Sequence, residues 1–249
     1  MKAMVLAAGL GTRLRPLTDD RPKALVEIGG RTLLEITLTR LKSFGVSEAI
    51  VNVHHFAEMV IGYLKANDSF GMRIELSREE ILLDTGGGLK KAAWFFQENS
   101  GNDAEAFFLH NVDVLSSIDL ALMLQSHKES DSLVTVAVQK RESSRQLLFD
   151  EAGQLCGRVA GRDREAEIAR PVQPLEPLAF SGVHIISPSL FPLMTEHGVF
   201  SIIDTYLRLS GQGEKITAFR ADQYYWRDLG KPDSVRLAAD DLAQNILSR

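Results

Sequence analysis

The chain has 249 residues, of which 45% are hydrophobic and 24% are charged, and its formal net charge is −5. This length fits one large α/β domain or at most two small ones, and the composition supports a hydrophobic core. The negative charge provides no broad basic field, so nucleic acid is not expected as a partner. The single cysteine, Cys156, excludes an internal disulfide and a cysteine-based metal site.

The sequence predicts a protein without a membrane partner. No apolar stretch approaches the roughly 20 residues that cross a bilayer. The apolar residues near the N-terminus form too short a run for a secretory signal, and Arg13 and Arg15 follow at once. We therefore expect a cytoplasmic protein, whose oligomeric state the sequence leaves open.

Strand-like and helix-like segments alternate through the first half of the chain. Apolar patterns predict strands at 2–6, 49–53, 72–76, 107–109 and 133–138, and helices at 33–45, 56–65, 88–97 and 120–126. Thr32 is placed to cap the first helix. This rhythm predicts a Rossmann-like three-layer α/β sandwich with a mostly parallel mixed sheet. Ligands bind at the carboxyl ends of such strands, so the loops after Leu6, Val53, Leu76 and Leu109 are the expected binding region.

The second half of the chain has more β patterns. We predict a hairpin at 145–160, a loop at 161–177, strands at 179–186, 216–220 and 224–227, and helices at 202–209, capped by Ser201, and 232–247. The whole chain, 1–249, is interpreted as one domain. It is divided into a core (1–140), a smaller β-rich lobe (141–230) and a C-terminal helix (231–249).

The loop after the first strand carries the strongest motif. It is Gly9-Leu10-Gly11-Thr12-Arg13-Leu14-Arg15-Pro16-Leu17-Thr18, followed by Pro22-Lys23. Glycines directly after a buried strand let backbone N–H groups approach an anion, and arginine and lysine add charge for a polyphosphate. A dinucleotide-binding loop would need a third glycine where Leu14 stands, and a Walker A loop would need glycine where Pro22 stands.

This pattern, G-x-G-T-R-x-x-P-L-T followed by P-K, resembles the signature of the sugar-1-phosphate nucleotidyltransferases. The likeness extends over nearly the whole chain and implies a glycosyltransferase-A-like fold whose smaller lobe binds the sugar. By this resemblance Gly11, Thr12 and Arg13 cradle the triphosphate, Lys23 neutralises the α-phosphate, and the backbone at Ala8 and Gly9 lies near the base. The implied partners are a nucleoside triphosphate and a sugar 1-phosphate.

Two aspartates resemble the metal-binding pair of this family. Asp113 follows the fourth strand and Asp228 follows a later strand-like run. Mg²⁺ takes one or two carboxylates together with phosphate oxygens, so it is the expected cofactor. Arg13, Lys23 and Asp113 are the expected catalytic residues. The family usually has glycine where this chain has Val112, and because valine disfavours a positive φ, the local backbone is expected to differ unless that glycine needs no such φ.

The resemblance also implies base-binding and sugar-binding residues. Asp84, Thr85 and Gly86 belong to a Thr-Gly-Gly-Gly loop that resembles the base-reading loop, and Asp84 can accept from the imino N–H of uracil or guanine. Asn111, Ser181 and Gly182 correspond to the sugar pocket. The family's Glu-Lys-Pro motif is Leu-Glu-Pro here, and the arginines that could replace its lysine are Arg158, Arg162, Arg164 and Arg170.

These features predict Mg²⁺-dependent transfer of a nucleotidyl group to a sugar 1-phosphate, with release of pyrophosphate. The Leu-Ala-Ala-Gly start favours UTP, and the chain looks most like family members acting on N-acetylmuramate 1-phosphate, then on mannose or heptose phosphates. One alternative is a cytidylyltransferase for a phosphorylated amino alcohol. The other is a non-catalytic nucleotide sensor.

Overall fold

The computed structural model describes residues 1–98, 105–160 and 165–243. Its strands are β1 (Lys2–Leu6), β2 (Glu27–Ile28), β3 (Arg31–Thr32), β4 (Glu48–Val53), β5 (Arg73–Arg78), β6 (Phe107–Asn111), β7 (Val114–Ser116), β8 (Val134–Gln139), β9 (Arg145–Phe149), β10 (Leu155–Ala160), β11 (Ala166–Ile168), β12 (Glu176–Ile186), β13 (Ile216–Arg220) and β14 (Trp226–Asp228). Its α-helices are α1 (Leu33–Ser43), α2 (Ala57–Ala66), α3 (Asp84–Lys91), α4 (Ala93–Gln97), α5 (Leu120–Ser130), α6 (Ile202–Gly211) and α7 (Pro232–Ala243).

The central sheet is mixed and mostly parallel, as predicted. Its main path runs β5-β4-β1-β6-β12-β8-β13, and β9, β10 and β11 continue from the N-terminal part of β12. β1 is parallel to β4 and β6, β4 to β5, and β8 to β13, whereas β12 is antiparallel to both β6 and β8. The carboxyl ends of β1, β4, β5 and β6 therefore meet at one edge of the sheet.

Helices cover both faces of this sheet. Successive side chains on a strand point to opposite faces, so Ala3 and Val5 pack in one core with α1, α2, α5 and α7. Met4 packs in the other core, with α3, α4 and α6. The predicted caps are present: the Thr32 hydroxyl accepts from the Glu35 N–H at 3.0 Å, and the Ser201 hydroxyl accepts from the Ile203 N–H at 3.3 Å. The three-layer α/β class is confirmed.

Several predicted boundaries were wrong. The third helix begins at Asp84, not at residue 88, and it is interrupted at Ala92. Its first turn is held by tertiary contacts, because the Gly86 and Gly87 N–H groups donate to the Phe200 carbonyl at 3.0 and 3.3 Å. The predicted loop at 161–177 contains β11 and the start of β12, and its residues 161–164 lie outside the described ranges, as do 244–247 of the last helix.

The predicted hairpin at 145–160 is present as β9 and β10, with a register shift between Leu155 and Gly157. It extends the sheet beyond β12 and stands beside the carboxyl end of β6. In the described ranges, no helix is both long enough and apolar enough to cross a bilayer.

Candidate active site

The first loop, residues 7–25, is anchored at its beginning and in its middle. The Asn52 side-chain oxygen accepts from the N–H groups of Ala7 and Ala8, at 2.6 and 3.3 Å. The Thr18 hydroxyl donates to the Gly11 carbonyl at 2.8 Å. Between these anchors, the N–H groups of residues 9–11 donate to no group in the part of the chain that the structure describes. A run of free N–H groups after a buried strand suits an anionic ligand.

A buried polar pair supports this loop from below. Asn52 and Glu79 are 3% and 2% exposed, and the Asn52 amide donates to Glu79 Oε1 at 2.8 Å. Glu79 Oε2 accepts from the Leu83 N–H at 3.0 Å. The pair therefore ties the first loop to the segment that starts α3. The sequence reading missed both residues, although a polar side chain near the end of an apolar strand was a usable signal.

Lys23 and Asp113 form an ion pair, in which both side chains are largely buried. Asp228 lies beside them, because it is paired with Val114 between β14 and β7, and the Leu229 N–H donates to the Asp113 carbonyl at 2.8 Å. Two predicted metal ligands from distant parts of the chain thus come together. Asp228 belongs to β14 itself and does not follow a strand.

Arg13 reaches the same corner of the molecule. A Cβ added to Gly230 would lie 2.7 Å from Arg13 Nη2 and 2.7 Å from Asp228 Oδ1. The guanidinium therefore packs against Gly230, near the Asp228 carboxylate. Thr12 and Arg13 begin a short 3-10 turn, Thr12–Leu14, whose buried Leu14 fixes it to the core.

Val112 occupies an ordinary backbone conformation. It is not among the residues with positive φ, it is 2% exposed, and its N–H donates to the Leu6 carbonyl at 3.1 Å. The residue that needs glycine nearby is Gly182, with φ of +76° and only 2.6 Å between an added Cβ and Val114 Cγ2. The valine therefore imposes no strain on the segment that carries Asp113.

Two clefts open along this edge of the sheet. The first-loop cleft, about 470 Å³, is lined by predicted site residues that include Ala8, Gly9, Lys23, Asp84, Thr85, Asn111 and Asp113. The hairpin cleft, about 610 Å³, lies between the β9–β10 hairpin, Phe180, His184 and the start of α6. Asp84, Thr85 and Asn111 line both clefts. Two ligands bound in the two clefts would therefore meet at Asn111.

Not every predicted residue faces a cleft. Ser181 is fully buried, its hydroxyl has no hydrogen-bond partner among the described residues, and its carbonyl accepts from Trp226 Nε1. Gly86 lies under the Phe200 ring, 2.4 Å from an added Cβ. A Cβ added to Gly182 would lie 3.1 Å from Asn111 Nδ2, so Gly182 packs against that side chain. Four further predicted residues also line neither cleft: Gly11, Thr12, Arg13 and Asp228.

Of the arginines that could replace the missing lysine, the structure places one in the hairpin cleft. Arg158 lines the hairpin cleft, where it pairs with Asp204 at 2.5 Å and Glu167 at 2.7 Å. Arg170 pairs with Asp150 at 3.4 Å and does not line that cleft. Arg162 and Arg164 lie outside the described residues. Arg145, which the sequence reading did not single out, also lines the hairpin cleft.

A neutral histidine lies at the base of the hairpin cleft. Burial, together with a smaller contribution from the neighbouring His110, lowers the pKa of His184 to about 3. Tyr206 is fully buried and its hydroxyl lies 3.0 Å from His184 Nδ1, its partner in the described structure. The phenol must therefore donate to Nδ1, because its proton would otherwise be buried without an acceptor. His184 Nε2 then carries the ring proton.

The paired aspartates fit a magnesium ion. Asp113 Oδ2 binds Lys23 and Asp228 Oδ1 accepts from the Gly230 N–H at 2.6 Å, so each carboxylate keeps one oxygen without a partner in the described structure. Mg²⁺ needs one or two such carboxylates and takes its remaining ligands from phosphate and water. No group of three or more His, Cys, Asp or Glu that could hold a metal is found within the described ranges.

Comparison with known proteins decides the family. The nucleotidyl transferase family model matches residues 2–147. The chain belongs to this family. The resemblance of the first-loop motif is thereby confirmed, and the protein is a nucleotidyltransferase.

Similar proteins fall within the same group. The chain is 34% identical to the N-acetylmuramate alpha-1-phosphate uridylyltransferase of Caulobacter vibrioides, with 97% of each chain covered. It is 28% identical to a probable mannose-1-phosphate guanylyltransferase 1 of Oryza sativa subsp. japonica, covering 97% of this chain but 66% of the rice protein. A UDP-glucose pyrophosphorylase complexed with UDP-glucose has a TM-score of 0.78 at 19% identity, with 98% of each chain covered. This similarity confirms the fold of this nucleotidyltransferase.

Proposed function

We propose that this nucleotidyltransferase transfers a uridylyl group from UTP to a sugar 1-phosphate, with Mg²⁺ as the metal. The observation that carries the proposal is the junction of the two clefts at Asn111, beside the Lys23–Asp113 pair. The nucleotide binds in the first-loop cleft and the sugar in the hairpin cleft. The phosphate of the sugar then lies against the α-phosphate of UTP.

The chemistry is a single in-line displacement at phosphorus. An oxygen of the sugar phosphate forms a bond to the α-phosphorus, and the bond from that phosphorus to the bridging oxygen breaks, leaving its electron pair on pyrophosphate. The ionised acceptor phosphate needs no general base, so positioning and charge stabilisation supply the rate. Lys23, Arg13 and the free N–H groups of residues 9–11 stabilise charge on the phosphates and on pyrophosphate.

Asp113 and Asp228 are the residues that would hold magnesium, through the oxygens that the protein leaves without a partner. When bound, Mg²⁺ neutralises phosphate charge and orients the phosphates. The Lys23 ammonium, which is paired with Asp113, lies where it can bind a phosphate oxygen of the nucleotide.

The preference for UTP is supported by the Leu-Ala-Ala-Gly start of the first loop and by the full-length similarity to a uridylyltransferase. A guanylyltransferase is also similar, at 28% identity over part of its length, so GTP is the main competitor. A phosphorylated amino alcohol is disfavoured as the acceptor, because the guanidinium of Arg145, which no carboxylate of the described residues neutralises, would repel its cationic head group.

Competition between nucleotides tests this proposal. The enzyme is incubated with equal concentrations of UTP, GTP, CTP and dTTP, a mixture of sugar 1-phosphates and Mg²⁺, and the products are identified by mass spectrometry. We expect UDP-sugar to dominate. A dominant GDP-sugar would overturn the UTP assignment. In a parallel reaction with a phosphorylated amino alcohol as the acceptor, a CDP-amino alcohol product would overturn the sugar assignment.

A further inference from the structure

Arg145 is a cation in the hairpin cleft whose charge the protein does not neutralise. It is the first residue of β9, it is exposed, and it lines the cleft. Its guanidinium forms no ion pair or hydrogen bond with any side chain in the described ranges. Arg158, in the same cleft, is held by the carboxylates of Asp204 and Glu167. Arg145 is therefore the one of these two cleft arginines that is available to a ligand.

The register of the hairpin places both arginines on one face. Arg158 is opposite Leu147, and Ala160 is opposite Arg145. Opposed residues share a face of the sheet, and so do residues two apart on one strand. Arg145 and Arg158 are thus diagonal neighbours, and both face the cleft. Because Arg158 is engaged in ion pairs, the unpaired positive charge of the two is that of Arg145.

This charge lies apart from the position of the reacting phosphate. The acceptor phosphate must reach the α-phosphate near Lys23 and Asp113, which line the first-loop cleft and not the hairpin cleft. Arg145 lines the hairpin cleft and not the first-loop cleft, and it lies on β9, between β10 and β12. A cleft of about 610 Å³ accommodates a substituted monosaccharide. An acceptor anion bound by Arg145 would therefore be a group other than the reacting 1-phosphate.

We propose that Arg145 binds a carboxylate carried by the sugar, so that the acceptor is an acidic sugar 1-phosphate. The planar guanidinium suits a carboxylate because it can donate two parallel hydrogen bonds. Arg145 is then a specificity-determining residue. The inference rests on the proposed transfer to a sugar 1-phosphate and adds the chemical class of that sugar.

The test compares two acceptors that differ in one anionic substituent. N-acetylmuramate 1-phosphate is N-acetylglucosamine 1-phosphate with a lactyl ether that carries a carboxylate. With UTP and Mg²⁺, kcat/KM is measured for both acceptors in the wild-type enzyme, in Arg145→Gln and in Arg145→Lys. We expect the wild type to prefer the muramate by at least about ten-fold, the typical effect of one hydrogen-bonded charge.

Arg145→Gln should lower kcat/KM for the muramate by about ten-fold or more, mainly through KM, and change that for the glucosamine by less than about two-fold. Arg145→Lys should retain part of the preference for the muramate, because lysine keeps the positive charge but cannot donate two parallel hydrogen bonds. Arg220→Gln is the matched control, since Arg220 pairs with Glu176 and Asp222 outside the cleft. It should leave both acceptors unaffected.

Three results would overturn the inference. An equal loss for both acceptors would mean that Arg145 binds the 1-phosphate that they share. No loss for either acceptor would mean that Arg145 does not contact the acceptor. A wild-type enzyme that prefers N-acetylglucosamine 1-phosphate, whose sugar has no carboxylate, would exclude the acidic class. The failure of the proposed function is distinguishable, because the wild type would then use neither acceptor nor any other sugar 1-phosphate.

Discussion

The Asn52 side-chain amide donates a hydrogen bond of 2.8 Å to the buried carboxylate of Glu79. Through their other atoms, these two residues hold the first loop at Ala7 and the start of α3 at Leu83. Two segments that line the first-loop cleft are thereby fixed relative to each other. The rigidity of this cleft therefore depends on a buried pair within its own lining.

Replacement of Asn52 by leucine tests this support. The variant keeps the side-chain volume but leaves the Ala7 N–H and one oxygen of Glu79 without partners in the interior. We expect a loss of about 2–4 kcal/mol in the free energy of unfolding, measured by urea denaturation. Asn67→Leu, at an exposed site, is the control and should cost much less. Equal losses in the free energy of unfolding for Asn52→Leu and Asn67→Leu would contradict a stabilising role of the buried pair.

Replacement of glycine by alanine should change the stability of the protein in opposite directions at Gly87, in α3, and at Gly62, in α2. A Cβ on Gly87 would lie 2.4 Å from the Gly198 carbonyl oxygen, a backbone atom that cannot move away cheaply. Gly87→Ala should therefore destabilise the protein by about 1–3 kcal/mol. Gly62 is also helical, but nothing lies within 4 Å of its added Cβ. Gly62→Ala should stabilise by about 0.5–1 kcal/mol, because alanine favours helix.

Thermal or urea unfolding of both variants measures these signs. If both variants lost a similar amount of free energy of unfolding, the packing explanation would be contradicted, since helix propensity favours alanine at both positions.

The lowered pKa of His184 predicts a loss of stability in mild acid. The residue stays neutral in the folded protein down to pH 3, whereas in the unfolded chain it takes up a proton below about pH 6.5. Its contribution is therefore complete above pH 6.5 and falls as the pH drops. At pH 5 the loss is about 2 kcal/mol. The free energy of unfolding at pH 7.5 and 5 should show this fall, and His184→Gln should reduce it.

His55→Gln is the matched control, because His55 is exposed. A pH dependence that is the same in the wild type and in His184→Gln would contradict the assignment.

The Lys23–Asp113 pair predicts a coupled loss of activity. Lys23→Met removes the charge that is proposed to stabilise the phosphates, and Asp113→Asn removes a carboxylate that is proposed to hold the metal. Each should lower kcat by about 10²-fold or more. Because the two side chains touch, the double variant should lose less than the product of the single losses. Steady-state kinetics measures this, with Lys65→Met as an exposed control. Fully multiplicative losses would argue against a shared role.

Much of the fold was predictable because it follows from local patterns. Strand β1 and the capped starts of α1 and α6 were predicted correctly, since burial periodicity and cap chemistry lie within a few adjacent residues. The start of α3 was not. A run of three glycines disfavours helix, but at these positions only glycine fits against Phe200, Gly198 and Glu79. That requirement comes from tertiary packing that no local pattern reports.

The candidate site was predictable to the extent that it resembles a signature. The first-loop residues, Asp113 and Asp228 do lie close together in the structure, while their roles stay predictions. Arg145 gave no local signal, because its importance comes from neighbours far away in the chain. For Val112, the sequence left open whether the family's glycine at this position needs a positive φ. The φ of Val112 is not positive, so valine fits here, and the neighbouring position that requires glycine is Gly182.

The most direct test of the account is a pyrophosphate-release assay with the purified enzyme. Each nucleoside triphosphate is combined with each of several sugar 1-phosphates (N-acetylmuramate, N-acetylglucosamine, glucose, mannose and heptose), with and without Mg²⁺. The proposed function predicts release that requires UTP, one sugar 1-phosphate and the metal together. Nucleotide binding without release for any pair, or release that is independent of the sugar phosphate, would contradict it.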